Sequence, residues 1–289
     1  TRPAMSNIFT DASALLALAL VLITYALTIR WRLLRTVSET ALLPHDLPAD
    51  AAAVEDWLAT RDAGEAPLQP GAASAVQWAT RAGERADVCV IFLHGWSASP
   101  TEVSPVDERL AAACGATLLR FRYTGHGLSP KARGGEAMAE TQSDLELRRN
   151  AATAYALGRL LGRRVVLVGC STGGALSLWL DAQAWVGAEL AAIVLISPGI
   201  RIAMPAAAFW AVGWTLMLVP RAVSRRILEA LNGGPRKKHK PLLPGERGDR
   251  QARCWTRDYP IESTRHPIGL FLHISAALRF EAVRVPVLA

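Results

Sequence analysis

Gly169-Cys170-Ser171-Thr172-Gly173-Gly174 is the stretch of this chain whose residue types and spacing could do covalent chemistry. The β-branched apolar run at 164–168 precedes it, and 175–180 continues as a helix, so Gly-x-Ser-x-Gly falls on a strand-to-helix turn. A turn that sharp strains the serine backbone and holds Oγ out above a sheet. The residues two before and two after then lie almost against each other, which restricts Gly169 and Gly173 to little or no side chain. Ser171 is the candidate nucleophile, against the plainer reading of a Gly-rich turn with an idle serine. Cys170 beside it reads as packing, not as a second nucleophile.

Such a serine needs a sheet beneath it. The run at 88–93 (VCVIFL) reads as a fully apolar strand that enters His94-Gly95-Trp96-Ser97, and a helix through Arg109, Leu110 and Ala113 ends at Gly115. A strand at 117–122 leads into Tyr123-Thr124-Gly125-His126-Gly127. Residues 144–161 are helical and closed by Gly162, the strand before Ser171 follows, and 191–196 (AAIVLI) is another buried strand ending at Ser197-Pro198-Gly199. An alternating segment from Ser74 opens the series, whereas a helix at 267–278 and an apolar run from Val285 close it. Strands alternating with helices predict an α/β fold with a mainly parallel sheet and its chemistry at the carboxyl ends of the strands.

A length of 289 residues suits one large α/β domain with attachments, and 51% hydrophobic residues is high for a soluble protein. Residues 12–29 form an 18-residue run without charge, about 27 Å as a helix, followed by Arg30, Trp31, Arg32 and Arg35. That order predicts a retained transmembrane anchor behind an N-terminal tail at 1–11, with the positive flank and all that follows cytoplasmic. Residues 30–73 read as a juxtamembrane connector with a short helix at 49–61, and 74–200 as the α/β core. Residues 201–265 break the alternation and read as a lid insertion, after which 266–289 returns to the core.

Ten Lys or Arg against three acids between Arg221 and Arg253 account for the whole net charge of +7. With no aromatic interleaving or nucleic-acid motif this is a solvated loop or a contact for anionic lipid, and not a nucleic-acid site. Cys89, Cys114, Cys170 and Cys254 show neither C-x-x-C nor zinc-like spacing, which points to reduced thiols and no metal. No cofactor is implied, and oligomeric state is not legible.

FLHGWSAS, RYTGHGLS, GCSTGG and the terminal VPVLA, in that order, resemble the α/β-hydrolase fold in its monoglyceride-lipase and carboxylesterase-like branch, with a lid after the sixth strand. The resemblance covers about 74–289. It implies a serine hydrolase acting on an ester or lipid-like acyl substrate, with Ser171 as nucleophile and the backbone N–H groups of Trp96 and Thr172 as the oxyanion hole. His94, Gly95, Gly169 and Gly173 would support these turns, with His94 and His126 bracing backbone instead of moving protons. The family's acid follows the strand that opens at Val285 and its histidine follows one strand later, so neither falls within the 289 residues, and the chain reads as a C-terminally incomplete copy. His266 and His273 precede that strand and are expected away from its catalytic end. A peptidase or acyltransferase on the same fold, or a binding module without a triad, are the competing readings.

Overall fold

The structure is a computed structural model and describes residues 6–34, 38–65, 67–129, 134–141, 143–202, 204–239, 253, 255–277 and 283–288. At its centre is a six-stranded sheet built from β1 (Ala75–Gln77), β2 (Ala86–Leu93), β3 (Thr117–Phe121), β4 (Gly162–Cys170), β5 (Leu190–Ile196) and β8 (Val287–Leu288). Their order is β1-β3-β2-β4-β5-β8, parallel throughout except for the antiparallel edge strand β1. Period-two alternation in β2 divides the core between the two faces. Cys89, Ile91 and Leu93 pack on one side with α6 (Asp144–Leu161) and α7 (Thr172–Asp181). Val90 and Phe92 pack on the other with Ala111 of α4 (Val106–Ala113). Helix α6 is capped by Ser143, whose Oγ accepts from the Glu146 N–H at 2.9 Å. Gly162 closes it, as the sequence suggested, in an extended conformation (φ −143°, ψ 152°), and opens β4 directly, where a side chain would fall on the Cys89 backbone.

The stretch read as a connector is part of the core. Leu42 of α2 (Glu39–Leu42), Ala51 of a 3₁₀ turn (Ala51–Ala53), and Val54 and Leu58 of α3 (Val54–Ala63) join the same cluster as β2 and α6. Helix α3 also delivers a charge to the interior. Asp62 accepts from Arg122 Nε at 3.1 Å and Nη2 at 2.9 Å, as well as from the Ser74 N–H at 2.6 Å, and Arg122 is wholly buried. Arg122 also reaches Glu65 at 3.3 Å and the carbonyl of His126 at 3.0 Å, so the loop after β3 hangs from residues 62–65.

The described part of 201–265 is less loop-like than its charge suggested. It contains α8 (Ala206–Leu218), α9 (Arg221–Asn232) and a hairpin of β6 (Arg236–Lys238) with β7 (Asp258–Pro260), after which come a second 3₁₀ turn (Ile261–Thr264) and α10 (Arg265–Ala277). Helix α9 corrects the reading of a basic loop from Arg221. Pro220 precedes it, Gly233 ends it at φ 74°, and Leu228 is buried with Phe209, Leu216 and Leu272 of α8 and α10. Residues 240–252, with much of the remaining positive charge, lie outside the described residues.

Residues 12–29 fall within α1 (Ser6–Leu34). Among the described residues no helix is long and apolar enough to cross a membrane. Leu15, Leu16, Leu18, Val21 and Leu22 of α1 are exposed. Arg35 and Ala289 lie outside the described residues.

Candidate active site

Ser171 sits between the end of β4 and the start of α7 at φ 48°, ψ −111°, a conformation that L-residues rarely adopt. Its N–H donates to the Ile196 carbonyl at 2.9 Å and its own carbonyl accepts from Gly199 N–H at 2.7 Å, which pins the turn to the exit of β5. The flanking glycines behave as the steric argument requires. A Cβ on Gly169 would stand 2.5 Å from the Gly173 carbonyl oxygen, and one on Gly173 would collide with the Leu93 carbonyl. Strain at Ser171 is thus held by close backbone packing on both sides.

The loop after β2 lies beside this turn. A Cβ on Gly95 would be 3.4 Å from Ser171 Cβ. Buried His94 uses both ring nitrogens on backbone: Nε2 accepts from the Tyr123 N–H at 3.1 Å, so Nδ1 carries the proton and donates to the Gly95 carbonyl at 2.8 Å. That carbonyl also accepts from the Ala98 N–H at 3.2 Å. In a planar trans peptide the Trp96 N–H points opposite to the carbonyl so held, and His94 thereby fixes its direction. Among the described residues neither the Trp96 N–H nor that of Thr172, the first residue of α7, has a partner. Two free donors therefore flank the serine, one aligned with a helix N-terminus.

His126 donates from Nδ1 to the Thr124 carbonyl at 3.1 Å, and its ring stands edge-on to Trp96 at 4.9 Å. It braces the loop, as the sequence suggested. His266 is placed differently from expectation. The first turn of α10 brings it to the His-Gly loop, 6.3 Å between ring centroids from Trp96, with Nε2 buried. The signal for this was not in its own neighbourhood, since it depends on how α10 crosses the sheet. The insertion touches the same loop, Thr256 N–H donating to the Ser97 carbonyl at 2.6 Å, and Phe271 of α10 packs over Gly199. His273 is buried in α10. Among the described residues no histidine or carboxylate hydrogen-bonds Ser171 Oγ, and none form a cluster of three that could hold a metal ion.

Burial lowers the pKa of all three loop-facing histidines, those of His126 and His266 to about 4 and that of His94 well below its ordinary value. Each is neutral at pH 7. Below about 6.5 the unfolded chain takes up protons that the folded chain refuses, so this stability is complete above that pH and is lost as pH falls toward 4. Fully buried His126 alone should cost about 2 kcal/mol between pH 7 and 5. Glu102, whose pKa burial raises, works in the opposite sense but is one group against three. Urea unfolding at the two pH values checks this, and equal stabilities would contradict it.

Two cavities of about 560 and 580 Å³ lie elsewhere, one lined by Leu43, Trp57, Arg61 and Asn150 and the other by Leu58, Leu68 and Val76. Neither touches the elbow or the His-Gly loop.

Comparison with known proteins agrees with this architecture. The profile of the alpha/beta hydrolase family matches residues 90–287. No curated protein sequence matches the chain. Among solved structures, one from the pair LipS and LipT, two metagenome-derived lipolytic enzymes, is 20% identical over 76% of each chain with a TM-score of 0.52. The monoacylglycerol lipase of Paleococcus ferrophilus is 18% identical over 74% of each chain with a TM-score of 0.46. At these identities the likeness is one of fold. The profile match spans well over half of the chain and includes the His-Gly loop, the strained serine turn and the strand that closes the sheet, and on that ground the chain belongs to the alpha/beta hydrolase family.

Proposed function

We propose that this hydrolase cleaves a carboxylic ester or related acyl bond through an acyl-Ser171 intermediate. The observation that carries the reading is the strained serine with two unpartnered backbone N–H groups beside it. Ser171 Oγ attacks the acyl carbonyl, and the developing oxyanion is received by Trp96 and Thr172, each donor contributing roughly 3 kcal/mol to barrier lowering. The alcohol leaves, and water then releases the acid and regenerates the serine. A serine of ordinary acidity needs a base, which in the resemblance follows the strand after β8. Lipolytic and monoacylglycerol-lipase relatives of the fold make an ester or lipid-like substrate the natural first class to try. A fluorophosphonate probe should label the full-length protein at Ser171, mapped by peptide mass. An adduct confined to another residue, or none, would overturn the assignment.

We also propose that residues 12–29 anchor the enzyme in a membrane with the hydrolase domain cytoplasmic. Supporting this are the charge-free run, its exposed leucines within α1, and the positive flank of Arg30, Arg32 and Arg35. Reporters fused after Gly71 test it: one active only in the cytoplasm should be bright and one active only outside silent. The reverse pattern refutes the topology.

A further inference from the structure

Glu102 lies one turn beyond the His-Gly loop, and its carboxyl turns back onto it. Oε2 accepts the Gly95 N–H at 2.7 Å. Its own backbone is fixed as well, the Glu102 N–H donating to the Ser99 carbonyl at 3.0 Å. The carboxyl thus stands at the seam between two backbone segments that no strand ladder joins at this point. A Cβ placed on Gly95 would meet both sides of that seam, 3.1 Å from Glu102 Oε1 and 3.4 Å from Ser171 Cβ.

We propose that Glu102 is a positioning residue, which fixes the Gly95 end of the His-Gly loop and so the placing of the Trp96 N–H beside the serine turn. This rests on the serine-hydrolase reading above. The chemistry suits the task, because a carboxylate oxygen is a strong acceptor for a backbone N–H. Burial, and after it the charge of Glu102, pushes the Cys170 thiol up to about 12, so sulfur keeps its proton and is not a competing nucleophile. Oxyanion stabilisation depends on donors already in place before charge develops, so a shift of the loop by a fraction of an ångström should appear in kcat and leave KM nearly unchanged.

Two variants separate this role from plain packing. Glu102→Gln keeps a planar group with one acceptor oxygen for Gly95, whereas Glu102→Ala removes both acceptors. In the full-length protein acting on a p-nitrophenyl ester, Glu102→Ala should lower kcat roughly ten- to hundredfold with little change in KM. Glu102→Gln should keep kcat within about threefold. Hydrogen exchange of the peptide carrying 94–98 provides a readout independent of turnover. Exchange there should speed about tenfold or more in Glu102→Ala and stay near wild type in Glu102→Gln. Equal behaviour of the two variants in exchange, whether both altered or both like wild type, overturns the positioning role. That role seen in exchange without any fluorophosphonate labelling of wild type would instead count against the hydrolase reading alone.

Discussion

Ser171→Ala should lower ester turnover by a factor on the order of 10⁴ or more and abolish fluorophosphonate labelling, with a melting temperature close to that of wild type. Alanine keeps the backbone strain and loses only the nucleophile. Ser171→Gly should be equally inactive yet more stable, by about 1 kcal/mol. The φ of 48° with ψ of −111° costs a residue with a Cβ roughly 1–3 kcal/mol, and glycine's greater freedom when unfolded returns part of that gain. The pair distinguishes a strained functional turn from an ordinary one. Calorimetry in which the glycine variant melts below the alanine variant would show that Ser171 is not strained in solution.

The largest loss of stability is expected from Asp62→Ala. Arg122 is fully buried, and Asp62 takes two of its donors at 2.9 and 3.1 Å. Removing that carboxylate leaves Glu65, at 3.3 Å and more exposed, as the acidic partner of a charge that water cannot reach. Breaking one half of a buried pair costs about 3–5 kcal/mol. In a chain of this size that lowers the melting temperature by on the order of 10 °C. The Ser74 N–H loses its acceptor in the same step. Asp62→Ala combined with Arg122→Met should recover much of the loss, because the uncompensated charge goes with it. A single-variant loss below about 1 kcal/mol in denaturant unfolding would mean that the guanidinium finds other partners or water.

The strands were legible wherever burial wrote itself into consecutive residues. The apolar runs at 88–93 and 191–196 became β2 and β5 with boundaries shifted by two residues or fewer, and Gly169 and Gly173 announced a close approach that the backbone makes. What the sequence hid was set by distant partners. Arg221, Arg225 and Arg226 disguised α9 as loop, since its few buried side chains count only once α8 and α10 are beside it. His266 carries no local mark of the His-Gly loop, because the packing of α10 brings it there, and Glu102 reaches that loop by turning back on it. Asp62 follows the short helix read at 49–61 without any local mark of burial, and Arg122, sixty residues away, supplies the reason for it.

The packing of 39–65 onto the sheet also decides where a version of this chain without α1 could begin. Pro67, Pro70 and Gly71 invite a cut, as loops of that composition do between separately folding units. A polypeptide started there would lack Leu42, Val54 and Leu58, opening one face of the main core to solvent, and would leave Arg122 without either carboxylate. Expression screening of such a polypeptide should yield aggregate. A start at Ser38 removes the exposed leucines of α1 and keeps α2, α3 and both acids, so the soluble fraction should rise at that boundary and fall again as the start moves past Val54.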